Sequence, residues 1–306
     1  MTEILYEVLD DRKIEHNAGI PTDIRARIEI ALNASGEGKD HATCETTIRL
    51  TWLHYLDPIW VRDRIIPLFS HSNDLAEPAW NGFLHNQHLG MPELFALLKV
   101  DFLKLFEAFQ DWRWDSQPIE RLHEFLVIAC YWNTKSGDYV EFAEARVALQ
   151  RSNDDGRSEA ISLLHSIVTG QNAWPSFGKM FILRAWPRET VYQTPQTSRH
   201  FATIAENSGD DFPDVVRTIS PLLVPTSQLD LFVYRARGQE DEKNDSASLP
   251  RRFPIDMVAL LDRLVSEDPA LDPHDLGDLV NTLAEASPAL RQDAKWRRLN
   301  RIAHTR

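Results

Sequence analysis

The chain has 306 residues, 43% apolar and 26% charged, enough material for one large or two ordinary folded domains with a sizeable core. A net charge of −13 argues against broad attraction to nucleic acid or an anionic membrane, and only 12 glycines beside abundant Leu, Ala, Glu and Arg favour helix over strand. No apolar run approaches the roughly 18 residues of a membrane span, and MTEILYEVLDDRK lacks the basic start and apolar core of a secretory signal, so a cytoplasmic location is expected.

In chain order, residues 1–13 suit a short helix using Ile4, Leu5, Val8 and Leu9. Pro21-Thr22-Asp23 opens a helix through about Ala34, apolar at Ile24, Ile28, Ile30 and Leu32, and Ser35-Gly36-Glu37-Gly38 is expected to end it. The stretch from Ala42 to Phe109 organises the rest. Ile48, Trp52, Leu53, Tyr55 and Leu56 fall at helical spacing. Asp57-Pro58 stops that helix and starts another, because proline fits a first turn where its missing N–H costs nothing. Trp60, Val61, Ile65, Leu68 and Phe69 follow on a second face, then Trp80 and Phe83, then Phe95, Leu98, Phe102, Phe106 and Phe109. The breaks are too short for anything but packed antiparallel neighbours.

Beyond a turn carrying Trp112 and Trp114, Pro118 starts a helix with Leu122, Phe125, Leu126 and Trp132, and residues 133–138 form the first joint. Helices are expected near 139–150, 155–169, 196–207, 213–223, 254–266, 273–286 and 291–303, with an aromatic-dense segment from Trp174 to Trp186. Residues 238–250 are acidic, polar and without apolar spacing, which marks a flexible loop. Phe212-Pro213 and Phe253-Pro254 open two similar segments 41 residues apart; at that offset Val216 meets Met257, Ile219 meets Leu260 and Leu223 meets Leu264. The expected fold is all-α, an irregular α-solenoid of stacked helical hairpins in the manner of HEAT or TPR arrays, with no catalytic α/β domain. It would comprise an N-terminal hairpin array (1–135), a middle array (136–237), the acidic loop (238–250) and a C-terminal cap (251–306). Trp52, Trp60, Trp80, Phe95, Phe102, Phe106, Trp186, Phe212 and Phe253 are its expected core, as wedges between helices rather than base-stacking platforms.

No complete catalytic set is legible. Gly36-Glu37-Gly38-Lys39 resembles part of a phosphate loop, but Asp40 stands where Ser or Thr is needed and no strand precedes it. His85 and His88, with His71 upstream, have the spacing of two metal ligands, and Asp74 or Glu77 would complete a set. The plainer reading is histidines at a helix end, so no cofactor is expected. His123-Glu124 and His274-Asp275 read as surface or satisfied core pairs. Cys44 and Cys130 read as buried free thiols. Arg291, Lys295, Arg297, Arg298, Arg301 and Arg306 make the C-terminal helix basic; they suit the negative end of its dipole, with a phosphate or partner contact as the alternative.

Several segments carry a resemblance. TWLHYLDPIWVRDRIIPLF, AWNGFLHN, PELFALLKVDFLKLF, ILRAWPRE, HFATIAENSGDDFPDVVRTISPLLVP, FPIDMVALLDRLV and the ending DPHDLGDLVNTLAEASPALRQDAKWRRLNRIA resemble the α-helical C-terminal region of large bacterial antiphage-defence proteins, especially those with an N-terminal sirtuin-like domain. The likeness runs from about Arg12 onward, and its motifs are structural apolar patterns. It implies a sensor, scaffold or oligomerisation surface, with NAD-consuming or other effector activity carried elsewhere, and it transfers no catalytic residue. The expected function is therefore a non-enzymatic helical module in antiviral defence, binding a protein partner, an effector subunit or a second copy of itself. A metal-dependent helical enzyme using His71, His85 and His88 and a nucleic-acid module using the basic C-terminus are the alternatives.

Overall fold

The computed structural model describes residues 2–86, 88–109, 112, 114, 116–227, 229–236, 248–268 and 273–304, and among these every regular element is helical and no strand forms. No helix among them is long and apolar enough to cross a membrane. The chain divides into two compact units, Met1–Ser152 and Asn153–Arg306.

The first unit contains α1 (Thr2–Asp11), α2 (Thr22–Leu32), α3 (Glu37–Ile48), α4 (Leu50–Leu56), α5 (Pro58–Trp60), α6 (Ala76–Leu84), α7 (Pro92–Ala108), α8 (Ser116–Ser136) and α9 (Phe142–Arg151). Gly36 adopts φ +61° immediately before α3, so the glycine-containing turn opens a helix instead of only closing one. The expected single helix through Ile48 and Leu56 is broken at Arg49. The cause is local: the hydroxyls of Thr43, Thr46 and Thr47 bond the carbonyls of Lys39, Ala42 and Thr43, competing with the helix ladder and bending it. Asp57 then caps α5, its Oδ1 accepting from Trp60 N at 3.0 Å while its Oδ2 accepts from Ile20 N at 3.3 Å.

Beyond α5 the chain widens into a π-helical turn over Val61–Ile65 and tightens to a 3-10 turn over Ile66–Phe69. Pro67 explains both, because it lacks an N–H and its ring would clash with the carbonyl four residues back. The core is aromatic. Trp80 is fully buried, donates Nε1–H to the Phe69 carbonyl at 2.9 Å, and meets Phe69 and Phe83 edge-on at 4.8 and 5.7 Å. Phe95, Phe102, Phe106 and Phe125 extend this cluster, and such pairs add about 0.5–1.5 kcal/mol each beyond their buried area. Gly82 lets α6 approach α3 closely: a Cβ there would lie 2.1 Å from Thr47 Oγ1 and 2.3 Å from the Cys44 carbonyl oxygen.

The second unit contains α10 (Asp154–Gln171), α11 (Lys179–Arg184), α12 (Pro195–Glu206), α13 (Phe212–Ile219), α14 (Asp230–Ala236), α15 (Leu249–Arg252), α16 (Pro254–Leu264), α17 (Leu276–Ala286) and α18 (Ala294–Ala303). Its core gathers Trp174, Phe177, Phe181, Trp186, Phe201, Met257, Leu260 and Leu264. Asn172, at φ +48°, ends α10, and a π-helical turn over Trp174–Gly178 leads into α11. The two Phe-Pro segments pack on each other: Phe212 stacks on Phe253 at 5.9 Å with planes 23° apart. Most of the expected loop, residues 238–247, lies outside the described residues, and Leu249 and Pro250 are already helical.

Two of the expected core residues are only half-buried, Trp52 and Phe253, whereas Trp60, Trp80, Phe95, Phe102, Phe106, Trp186 and Phe212 are buried. In α1 the inward side is Tyr6 and Leu9, and Ile4 and Val8 face solvent. Ile30 is likewise exposed. Cys130 is buried and Cys44 half-buried, both free thiols. Burial pushes both thiols above their ordinary range, the Glu45 carboxylate adding to this at Cys44.

Candidate functional site

Trp52 is half-buried because it lies on a groove in the first unit. Arg49, at φ −100° and ψ 13°, separates α3 from α4, and α1 packs on α3. Tyr6, Glu7 and Asp10 of α1, Ile48, Arg49, and Thr51, Trp52 and Tyr55 of α4 line this groove of about 650 Å³ together with Asn86. Tyr6 is held in place by its hydroxyl, 2.6 Å from Thr46 Oγ1. Burial is the main cause that raises its phenol to about 12, against smaller lowering by the Thr46 bond and the Arg49 charge. Arg49 lies over the Tyr6 ring at 4.9 Å and pairs with Glu45 at 2.7 Å. Tyr55, 44% exposed, packs its ring against His16 at 4.6 Å.

The polar groups of the groove are mostly acceptors. Glu7 and Asp10 are exposed and pair with no cation among the described residues. The Thr51 hydroxyl oxygen is buried and finds no partner among the described residues. Asn86 donates its amide to the Thr47 carbonyl at 3.3 Å, which leaves its side-chain oxygen as an acceptor. Among the residues that line the groove, no nucleophile stands beside a base.

A smaller cleft of about 290 Å³ in the second unit centres on Asp214. Its carboxylate accepts from Lys179 Nζ at 2.8 Å and from Trp174 Nε1 at 3.0 Å, with Arg217 at 3.7 Å. Burial alone would raise this carboxyl, but those hydrogen bonds and the neighbouring cations outweigh it and hold it below the usual range. The arrangement is a satisfied ion cluster that fastens α13 to α11.

Of the histidines of the alternative metal reading, His71 and His85 have other partners. His71 stacks on Trp112 at 5.6 Å and bonds the Asp101 carbonyl, His85 bonds the Asn81 carbonyl through Nδ1, and His88 is exposed. Among the described residues no three His, Cys, Asp or Glu side chains are grouped so as to hold a metal ion. His123 is the buried histidine that sequence reasoning assigned to surface or satisfied core. Its Nε2 lies 2.8 Å from Ser152 Oγ, the spacing of a base and nucleophile, and its Nδ1 is 2.7 Å from the Ile119 carbonyl. Both side chains are buried, and Phe106 and Phe109 cover the imidazole edge-on, so the pair fixes α8 to the end of α9 and meets no substrate.

The basic C-terminal helix is partly consumed by the fold. Arg298 donates to the Asp262 and Val265 carbonyls at 3.2 and 2.8 Å and pairs with Asp262 and Glu267, closing the C-terminus of α16. Arg301 is 3.5 Å from Glu267, and Arg297 donates to the Gln292 carbonyl. Arg291 and Lys295 are exposed, and Arg306 lies outside the described residues.

Fold and groove together define an all-helical protein with an aromatic, acceptor-rich concavity and no assembled catalytic set among its described residues. Comparison with protein-family models, with curated proteins and with solved structures finds no match to this chain.

Proposed function

We propose that this chain is a non-enzymatic helical interaction module of a bacterial antiphage-defence system, acting as sensor, scaffold or oligomerisation surface beside a separate effector activity in the cytoplasm. Its hairpins would form an irregular α-solenoid within each unit, the construction that suits broad protein contact. The observation that supports this reading most is the chemistry of the groove: three aromatic side chains and the carboxylates of Glu7 and Asp10, without a nucleophile and base side by side among the lining residues. The defence context comes from the resemblance of TWLHYLDPIWVRDRIIPLF, HFATIAENSGDDFPDVVRTISPLLVP and the C-terminal helices to the helical regions of antiphage proteins.

The test is genetic. Removing the coding sequence from its native locus and challenging the host with a phage panel should raise plaque counts by orders of magnitude for at least one phage. Restoring the chain should restore protection. Equal plaque counts with and without it would refute the defence reading, and turnover of a substrate by the purified chain alone would refute the non-enzymatic one.

A further inference from the structure

The groove's lining is one-sided in a way that selects a ligand charge. It offers a ring face and acceptors: the indole of Trp52, the part-exposed phenol of Tyr55, the carboxylates of Glu7 and Asp10, and the Asn86 oxygen, while Tyr6 is buried with Arg49 over its ring. The cation among its lining residues, Arg49, is already neutralised by Glu45. A ligand that fits must bring hydrogen-bond donors and positive charge, and must present a flat or apolar surface to the rings. A guanidinium does all three, since it is planar, stacks on aromatic faces and forks toward carboxylates. The groove already demonstrates this packing once, with the Arg49 guanidinium 4.9 Å from the centre of the Tyr6 ring. The Asn86 side-chain oxygen, left over when its amide donates to the Thr47 carbonyl, is an acceptor for an incoming N–H.

We propose that the groove formed by α1, Ile48–Arg49 and α4 receives an arginine side chain presented by a basic segment of a protein partner. This deepens the interaction-module reading and rests on it. The guanidinium stacks on Trp52 and reaches the Asn86 oxygen, the arginine stem covers Ile48, and Glu7 and Asp10 at the rim attract the flanking positive charge. A lysine would satisfy the carboxylates but stack less well, so it should bind more weakly.

The full chain is titrated by calorimetry at about 0.15 M salt, where long-range attraction to an acidic protein is largely screened. The probes are a short acetylated, amidated Gly-Arg peptide, its lysine counterpart, and its citrulline counterpart, which keeps the shape and removes the charge. The arginine peptide should bind at least about 10-fold tighter than the citrulline one, with lysine between. Trp52→Ala should weaken it about 10-fold, Trp52→Phe less, and Glu7→Gln with Asp10→Asn about 3–10-fold. The pair Glu120→Gln and Asp138→Asn removes the same charge from exposed positions outside the groove and should leave binding unchanged. Thermal midpoints of all variants establish that they fold. Equal affinity for arginine and citrulline peptides, equal weakening by the control pair, indifference to Trp52→Ala, or no binding at all would each overturn the proposal. Phage protection that depends on the chain while the peptide fails to bind would remove the groove assignment and leave the module reading standing.

Discussion

At the scale of single residues, two glycines separate packing from backbone entropy. Gly82 sits where α6 meets α3, and its missing Cβ leaves room for the Thr47 hydroxyl and the Cys44 carbonyl. Neither is the far end of a flexible side chain, so Gly82→Ala must push two helices apart. We expect a loss of about 1–3 kcal/mol or more, read as a lowered denaturation midpoint. Gly170, near the end of α10, would place a Cβ in open space, so Gly170→Ala should stabilise by about 0.5 kcal/mol through the unfolded chain. A Gly82→Ala protein as stable as wild type would show that α3 and α6 have slack to separate. Arg298 and Arg297 form a second contrast. Arg298→Ala strips a charge-assisted cap from α16 and should cost about 2 kcal/mol, whereas the exposed Arg297→Ala should stay within about 0.5 kcal/mol. Equal effects of the two would contradict the capping role. In the sequence these arginines form one basic cluster, because spacing on α18 does not reveal which carbonyls lie opposite. The groove is hidden for the same reason: Tyr6 and Trp52 are each an ordinary apolar-face residue until the fold brings them to one concavity.

At the scale of helices, legibility tracks how local the cause is. Proline and apolar period mark α7, α8, α12, α13 and α16, whose starts at Pro92, Pro118, Pro195, Pro213 and Pro254 lie within two residues of their first turns. The Phe-Pro repeat is legible as a pattern, and the stacking of Phe212 on Phe253 supplies its physical content. The interruption at Arg49 is not legible, since threonine hydroxyls bending a helix compete with an apolar stripe that runs straight through. The α10–α12 pairing carries a pH dependence. His165 on α10 and His200 on α12 both have lowered pKa values. Burial is the largest cause in each, joined at His200 by the charges of Arg199 and His165. His54 in α4 is lowered by burial too, with Glu93 opposing and His16 assisting. Each of these rings is neutral in the folded protein at pH values where the unfolded chain would take up a proton. Stability is therefore fully present above the ordinary histidine value of 6.5 and declines as pH falls through the lowered values. Denaturant midpoints should drop between pH 7.5 and 5, and His165→Gln with His200→Gln should flatten that slope. A slope left unchanged by the double variant would assign the loss to carboxylates instead.

At the scale of the molecule, the decisive feature is that each unit carries its own aromatic core. Trp80, Phe83, Phe95, Phe102 and Phe125 are buried in Met1–Ser152, and Trp174, Phe177, Phe181, Trp186 and Phe201 in Asn153–Arg306. A chain of about 150 residues buries about two thirds of the surface it would expose unfolded, enough to fold alone. The position of the cut matters because Ser152 and Asn153 belong to different units. The Ser152 hydroxyl is bound to His123, whereas Asn153 Oδ1 caps α10 by accepting from Gly156 N at 2.9 Å. Separation between them leaves both interactions whole. The break legible in the sequence at residues 133–138 is a worse place, although Gly137 at φ +81° does end α8 there. Cutting after Gly137 strips α9 from the first unit, and with it the Lys99–Glu144 pair at 2.8 Å, the His123–Ser152 bond and the cover that Ala145, Ala148 and Leu149 give α7. Residues 1–152 and 153–306, expressed separately, should each show helical circular dichroism and a cooperative unfolding transition. Residues 1–137 should be less stable than 1–152 by several kcal/mol or fail to fold, since the loss combines a buried hydrogen bond with a large apolar face. A cooperative 1–137 fragment matching 1–152 in denaturant midpoint would place the boundary at the glycine after all and assign α9 to the second unit.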